Sequence, residues 1–206
     1  MAQRAEFPHI AAAVLAGGES KRLGRDKALL PWGRGTLLEH VVAILRPLFD
    51  ELVVVSRDRE RLAHLDVPVV TDRLRGAHAL AGIHAALSEA PRELVFVCAC
   101  DLPLLSADAV RLVCRHAAPQ TVVVPRIGGR LEPLFALYPR TLASEAEQLA
   151  RAENYRLRDL VTRGSMHELD DTQFRDAGIP LDVFANINTI EDLEAVRSRH
   201  LAASHG

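Results

Sequence analysis

Between Leu15 and Lys27 the chain reads LAGGESKRLGRDK, a pair of glycines followed by a run of positive charge. Two adjacent glycines let the backbone turn sharply and bring its N–H groups close to a phosphate. Ser20, Lys21, Arg22, Arg25 and Lys27 then crowd hydroxyl and cationic groups around that turn. Lys27 is notable because the chain has two lysines and otherwise writes its positive charge as arginine. An ammonium is a compact point charge on a flexible stem, whereas a guanidinium is a planar fork that needs a matched pair of oxygens. Two common phosphate loops are excluded. A P-loop needs Gly-Lys followed by Ser or Thr, but Lys27 follows Asp26 and precedes Ala28. A dinucleotide fingerprint needs G-x-G-x-x-G, a spacing that Gly17, Gly18 and Gly24 do not have. A plain strand-to-helix turn remains open for the Gly-Gly pair alone.

Other polar residues punctuate the ends of apolar runs. Asp72 follows Val67–Thr71, and Asp101 follows Leu94–Cys100 in a Cys-Asp-Leu-Pro segment. Aspartate at a strand end serves either as a ligand-binding carboxylate or as a turn residue. Asn186 and Asn188 stand two apart in a stretch that reads as a strand, which puts both amides on one face. Asn188, just before Thr189, also suits a helix start.

These residues require a scaffold that brings strand ends together. Ile10–Ala16, Glu51–Ser56, Val67–Thr71 and Leu94–Cys100 are short apolar runs without clean alternation, the pattern of strands buried on both faces. Helical patterns lie between and after them at Thr36–Phe49, Arg57–Leu65, Leu80–Ala90 and Ser106–His116, the last with Ser106 as N-cap. This rhythm predicts an α/β fold: a mostly parallel sheet with helices on both faces, ligands binding at the carboxyl edge. After residue 117 the rhythm changes. Thr121–Ile127 and Leu131–Tyr138 flank Gly128-Gly129-Arg130 and predict two strands joined by a tight turn. Helices are expected at Thr141–Ala152 and Arg156–Arg163, then a strand at Val183–Ile187 and a helix opening at Thr189 with Asp192 as capping partner. No linker divides the chain, so residues 1–206 are expected to form one domain.

Composition narrows the class. Of 206 residues, nearly half are hydrophobic and a quarter charged, with a formal net charge of −2. That balance gives no sign of a nucleic-acid or membrane-surface binder, so an anionic substrate must be held by a local device. No apolar run approaches the ~20 residues of a membrane helix. Met1–His9 lacks the pattern of an export signal, and three cysteines, an odd number, read as reduced thiols in a cytoplasmic protein. Cys98 and Cys100 alternate along a strand, which suits core packing better than the wider ligand spacing of zinc sites.

The segment L-A-G-G-x-S-x-R-L-G-x-D-K resembles the signature loop of the molybdenum cofactor guanylyltransferases, members of the nucleotidyltransferases. The resemblance continues in order through Thr71-Asp72, Leu80-Ala81-Gly82-Ile83, Cys100-Asp101-Leu102-Pro103, Glu132-Pro133-Leu134 and Asn186-Ile187-Asn188-Thr189, covering nearly the whole chain. One departure is His78-Ala79, where the family usually has Gly-Pro.

The resemblance implies a three-layer Rossmann-like nucleotidyltransferase fold, with a nucleotide-binding half (about 8–117) and an acceptor-binding half (about 118–203). It implies transfer of GMP from GTP to the terminal phosphate of molybdopterin or its molybdenum-loaded form, with release of pyrophosphate. Leu15, Ala16, Gly17, Gly18 and Gly82 would cradle the nucleotide, and Asp72 would contact the guanosine. Arg22 and Lys27 would meet the phosphates, Asp101 would hold Mg²⁺, and Asn186 and Asn188 would face the ligand. Arg156–Arg158 lie where acceptor recognition is expected. Cofactor-insertion proteins and apo-molybdoenzymes are implied partners. Three rivals remain: a molybdopterin cytidylyltransferase, a sugar- or alcohol-phosphate nucleotidyltransferase of the same fold, and a nucleotide-binding regulatory module without turnover. The cytidylyltransferases tend to have Ala-Gly at Gly17-Gly18 and Asp-x-Asp at Asn186-x-Asn188, which favours GTP here.

Overall fold

The computed structural model describes residues 5–17, 27–74, 78–187, 189, 192 and 194–196. In chain order the elements are β1 (Ile10–Leu15), β2 (Pro31–Trp32), β3 (Gly35–Thr36), α1 (Leu37–Leu45), β4 (Glu51–Val55), β5 (Val69–Val70), α2 (His78–Glu89), β6 (Leu94–Ala99) and α3 (Ala107–Arg115). The later ones are β7 (Thr121–Ile127), β8 (Arg130–Leu131), β9 (Phe135–Pro139), α4 (Ala143–Arg151), α5 (Leu157–Val161), β10 (Ser165–Asp170) and α6 (Asp171–Asp176).

Eight strands form one sheet in the order β10-β7-β9-β6-β1-β4-β5, with β8 on β7. β1 pairs in parallel with β4 and β6, β4 with β5, and β7 with β10. β9 is antiparallel to both β6 and β7. Alternate side chains of β1 build two cores, one on each face. Ile10, Ala12 and Val14 join Leu38, Val41 and Val110 on the face covered by α1 and α3. Ala11, Ala13 and Leu15 join Ile83, Leu87 and Leu149 on the face covered by α2 and α4. All six residues of β1 are buried, which explains why its sequence shows no alternation of apolar and polar residues. The three layers are therefore those the sequence predicts.

Caps fix where helices begin. Thr36 and Glu39 form a reciprocal capping box at α1, and Ser106 accepts from the Ala109 amide at α3 as expected. Thr189 and Asp192 exchange the equivalent pair of bonds, at 2.8 and 3.1 Å. The predicted turn at Gly128-Gly129 is present, both glycines having positive φ (54° and 79°).

Val67–Thr71, expected as a strand buried on both faces, is the two-residue edge strand β5 with both residues half-buried. Three further expectations fail, and one pair of elements is missed. Residues 57–65 form successive turns closed by Leu62→Arg59, Ala63→Glu60 and Leu65→Leu62 amide bonds rather than a helix. Only Leu62 in that stretch is fully buried, too little apolar surface to hold an α-helix against the sheet. The strand expected over 131–138 is broken at Glu132-Pro133-Leu134, which separates β8 from β9 and sends β9 between β7 and β6. β10 and α6 were not foreseen, because Ser165–Asp170 is an edge strand with alternating exposure and one fully buried residue, Leu169. The strand expected at Val183–Ile187 is instead a 3-10 turn at Leu181–Phe184 followed by irregular chain. There Phe184 packs edge-on against Phe135 and Phe174, with ring centroids 5.1 Å apart in each case. Burial under α6 satisfies that apolar run without a sheet neighbour.

Candidate active site

β1, β4, β5 and β6 point the same way, so their carboxyl ends lie along one edge. At the end of β1 the Ala16 amide bonds the Val55 carbonyl at 2.9 Å, and the Cys100 amide bonds the Leu15 carbonyl at 3.1 Å. Leu15, Ala16 and Gly17 are thereby held between the ends of β4 and β6. A Cβ on Gly17 would meet nothing within 4 Å, so packing does not demand glycine there. Gly18 and Arg22, with Ser20, Lys21 and Arg25, lie outside the described residues.

Gly82 is different. It lies within α2, and a Cβ there would come 3.2 Å from Leu15 Cδ1. Its missing side chain lets α2 approach the residue that opens the glycine loop. Where the family has Gly-Pro, His78 and Ala79 are the first two residues of α2. A helix start accepts proline or alanine alike, so the departure leaves the Leu80-Ala81-Gly82 segment in a regular helix.

Lys27 opens a 3-10 turn over Lys27–Leu29 and is seated by its neighbours: Ala28 is buried in the main core, and Leu30 and Trp32 pack with Leu37, Ile187 and Val196. Asp101 follows β6 at a turn pinned by buried Leu102 and Leu105. Lys27 Nζ donates to Asp101 Oδ2 at 2.8 Å, both side chains being 19% exposed. The sequence assigned these two residues separate ligands. The structure brings them into contact with each other.

Asp72 lies two residues beyond β5, its carboxylate 12% exposed and held by Arg57 Nε at 3.0 and 3.1 Å from its two oxygens. Arg57 was not singled out in the sequence, because its pairing with Asp72 depends on β4 and β5 lying side by side. Asn186 is exposed, and the next amide, that of Ile187, donates to the Asp101 carbonyl at 3.2 Å. That bond places the Asn-x-Asn segment beside Asp101. Residues 185–187 are irregular, so the shared strand face expected for Asn186 and Asn188 does not hold, and Asn188 lies outside the described residues.

The Glu132-Pro133-Leu134 turn meets the same place from the other side, since the Leu134 carbonyl accepts from the Ala99 amide at 2.9 Å. Tyr138 Oη donates to the Pro133 carbonyl at 2.7 Å and fixes the turn. Burial raises the Glu132 carboxyl above its ordinary range, with Arg130 opposing. On the strand beyond, Arg126 forms a two-point ion pair with Glu168. Nothing in the sequence marked this pair, which exists because β10 lies beside β7. Arg156 precedes α5, and Arg158 lies within it.

The three cysteines are buried free thiols, and burial pushes Cys98 and Cys114 far above the ordinary thiol range. They are core residues rather than ligands. Among the described residues no group of three or more His, Cys, Asp or Glu side chains is placed to cage a metal ion.

Residues 12–169 match the family described as the MobA-like NTP transferase domain. The molybdenum cofactor guanylyltransferase of Rhizobium johnstonii is 38% identical over 192 residues, 90% of each chain. A probable molybdenum cofactor guanylyltransferase of Carboxydothermus hydrogenoformans is 34% identical over 90% of this chain and 94% of its own. The crystal structure of the molybdopterin-guanine dinucleotide biosynthesis protein A of Archaeoglobus fulgidus superposes with a TM-score of 0.80 at 25% identity, over 94% of this chain and 99% of that one.

Proposed function

This chain belongs to the MobA-like NTP transferase family, and from that premise we propose that it transfers GMP from GTP to the terminal phosphate of molybdopterin. The observation that carries this reading is the contact between Lys27 and Asp101 beside the glycine loop, a cation and a carboxylate at one sheet edge. Guanine and molybdopterin are taken from the relatives' names, 34–38% identical over nearly the whole chain. The cytidylyl, sugar-phosphate and non-catalytic readings are not favoured.

In the reaction, an oxygen of molybdopterin's terminal phosphate attacks the α-phosphorus of GTP. The bond from that phosphorus to the α–β bridging oxygen breaks, and pyrophosphate leaves with the electron pair. Little covalent help is needed; alignment and neutralised charge suffice. The Ala16 amide is committed to the Val55 carbonyl, so Leu15 and Ala16 fix where the loop leaves β1. The backbone amides of Gly17 and Gly18 meet the triphosphate, and the open space at Gly17 suits a close approach. Lys27, together with Arg22, meets charge developing on the bridging and leaving oxygens.

A metal fits Asp101 as the donor set stands. One carboxylate at a strand end matches Mg²⁺, which takes one or two protein oxygens and completes its shell with phosphate and water. Bound there with the triphosphate, Mg²⁺ would supply further neutralisation of the leaving pyrophosphate. With the metal held by Asp101, Lys27 would be available to the phosphates in place of its present contact with that carboxylate. Each charge would exchange one opposite partner for another, so that neither would be left unpaired in a largely enclosed place.

Asp72, with Arg57 holding its carboxylate, contacts the guanosine, Gly82 keeps α2 close to Leu15, and Asn186 and Asn188 approach the ligand near Asp101. Residues of about 8–117 form the nucleotide half, and residues of about 118–203, including the Glu132 turn, receive the acceptor. The setting is cytoplasmic, with cofactor-insertion proteins and apo-molybdoenzymes downstream. Among the described residues no helix is long and apolar enough to cross a membrane.

The test is to incubate the protein with each nucleoside triphosphate, Mg²⁺ and molybdopterin, then measure pyrophosphate and identify the product by mass. GTP is expected to outcompete CTP by about a hundredfold, ~2.7 kcal/mol, within reach of a few hydrogen bonds that the wrong base leaves unmade. Equal rates with both nucleotides would overturn the substrate assignment.

A further inference from the structure

A second concave site lies at the amino edge of the sheet, where β6 and β7 begin and β9 ends. It is a cavity of about 810 Å³ with Arg92, Glu93, Arg140 and His9 around a floor that includes Leu94 and Ala117. That size lies within the range of small-molecule pockets. β6 starts in this cavity at Leu94 and ends next to Asp101, so its six residues, at ~3.3 Å each, put roughly 20 Å between the two sites. A molecule here cannot touch the reacting phosphates.

Two cationic groups in the cavity have donors left over. Arg92 Nε is buried without a hydrogen-bond partner, and the nearest carboxylate contact, Arg92 Nη2 to Glu51 Oε1, is 3.6 Å, beyond hydrogen-bond length. Nε itself has no accessible surface, so an acceptor in the cavity meets the exposed part of the guanidinium-bearing side chain, which is 39% exposed. Arg140 has no ion-pair partner among the described residues. Arg92 and Arg140 set against Glu93 leave one net positive charge on the lining when His9 is neutral. The rim is fixed as well: Gln120, a non-glycine residue at φ 55°, is tied by the Thr141 hydroxyl, which donates to its Oε1 at 2.7 Å.

We propose that this cavity binds a small organic monoanion, an acid group on an apolar body, with the acid between Arg92 and Arg140 and the body against Leu94 and Ala117. A guanidinium pair favours the planar oxygen pair of a carboxylate, and the single net charge favours one acid over two.

Isothermal titration calorimetry with octanoate and benzoate, each beside its alcohol (octanol, benzyl alcohol), tests this on the wild-type protein. The acids are expected to bind saturably and the alcohols at least about tenfold more weakly. The double variant Arg92→Gln/Arg140→Gln should lose about tenfold or more for the acids while its pyrophosphate release stays at the wild-type rate. The proposal is overturned if neither acid binds saturably, if the alcohols bind as well as the acids, or if the folded double variant binds like wild type. Should the double variant fail to fold, the acid-versus-alcohol comparison on the wild-type protein decides alone.

Discussion

Lys27 Nζ and Asp101 Oδ2 lie 2.8 Å apart across 74 residues of sequence. Each is the other's counter-ion at the edge where the glycine loop leaves β1. Among the described residues this edge thus joins one cation to one carboxylate, and on the proposed function a triphosphate and its metal would replace that internal pair together. Free metal alone would have to displace Lys27 without offering it a new partner. Metal carried by a triphosphate offers one.

Removing the ammonium should therefore strengthen metal binding when no nucleotide is present. For Lys27→Met we expect Mn²⁺ to bind the nucleotide-free protein about tenfold more tightly, ~1.4 kcal/mol, followed by electron paramagnetic resonance. The same variant should lose most of its turnover. Asp101→Asn should abolish that metal binding and cut turnover by orders of magnitude, since a neutral amide is a poor ligand for a hard cation. Unchanged Mn²⁺ affinity in Lys27→Met would mean that the ion pair does not guard the carboxylate.

Lys27→Arg separates charge from shape. Lys27 is held by a turn whose next residue, Ala28, is buried, so its backbone has little room to shift. An arginine there carries a wider planar head on the same fixed stem root. We expect Lys27→Arg to fail almost as badly as Lys27→Ala in steady-state rates, with circular dichroism unchanged. Recovery of most of the rate by arginine would show that only net positive potential is required.

The residues of this site that were legible in the sequence are those that close an apolar run: Gly17 after β1, Asp72 after β5, Asp101 after β6. Burial on both faces makes the β1 and β6 runs continuous, and the residue that ends them is conspicuous, whereas β5 is a half-buried edge strand whose run is short. What was not legible depends on neighbours far away in the chain. Arg57 and Arg126 gain their meaning from Asp72 and Glu168, partners set by strand order. The strand Ser165–Asp170 is half exposed at the sheet edge and presents a mixed pattern that resembles a loop. Val183–Phe184 misled for the opposite reason: a short apolar run is buried equally well by a turn under α6 as by a sheet.

Gly82 offers a test that uncouples stability from function. A methyl group there meets Leu15 Cδ1 at 3.2 Å and Cδ2 at 3.4 Å, contacts that a small movement of the leucine relieves. Alanine also gains about 1 kcal/mol of helix propensity over glycine, which offsets the crowding. We expect Gly82→Ala to unfold within about 1 kcal/mol of wild type in urea. Its KM for GTP should nevertheless rise severalfold, because the leucine that moves opens the glycine loop. A variant unchanged in both properties would show that the loop tolerates movement of Leu15.

His84 supplies the pH dependence. It sits on α2, facing α4, with Nδ1 buried and unpartnered and Nε2 3.3 Å from Ser88 Oγ. Burial lowers its pKa below the ordinary imidazole value; Glu147 on α4 opposes this, and Arg73 adds to it. The folded protein therefore resists a proton that the unfolded chain accepts near pH 6.5, the ordinary imidazole value. Stability is full above that pH and falls as the pH drops from about 6.5 towards the lower folded value, where the unfolded state binds more protons. We expect the urea midpoint to decline through this window, and His84→Gln to remove part of the decline because its amide does not titrate there. Glu147→Gln should steepen it, since the charge that favours the imidazolium is gone. Every carboxylate other than Glu147 is common to all three proteins and ordinary carboxylates titrate lower, so differences between the curves close to pH 6.5 report His84. Identical slopes for wild type, His84→Gln and Glu147→Gln would remove His84 as the source.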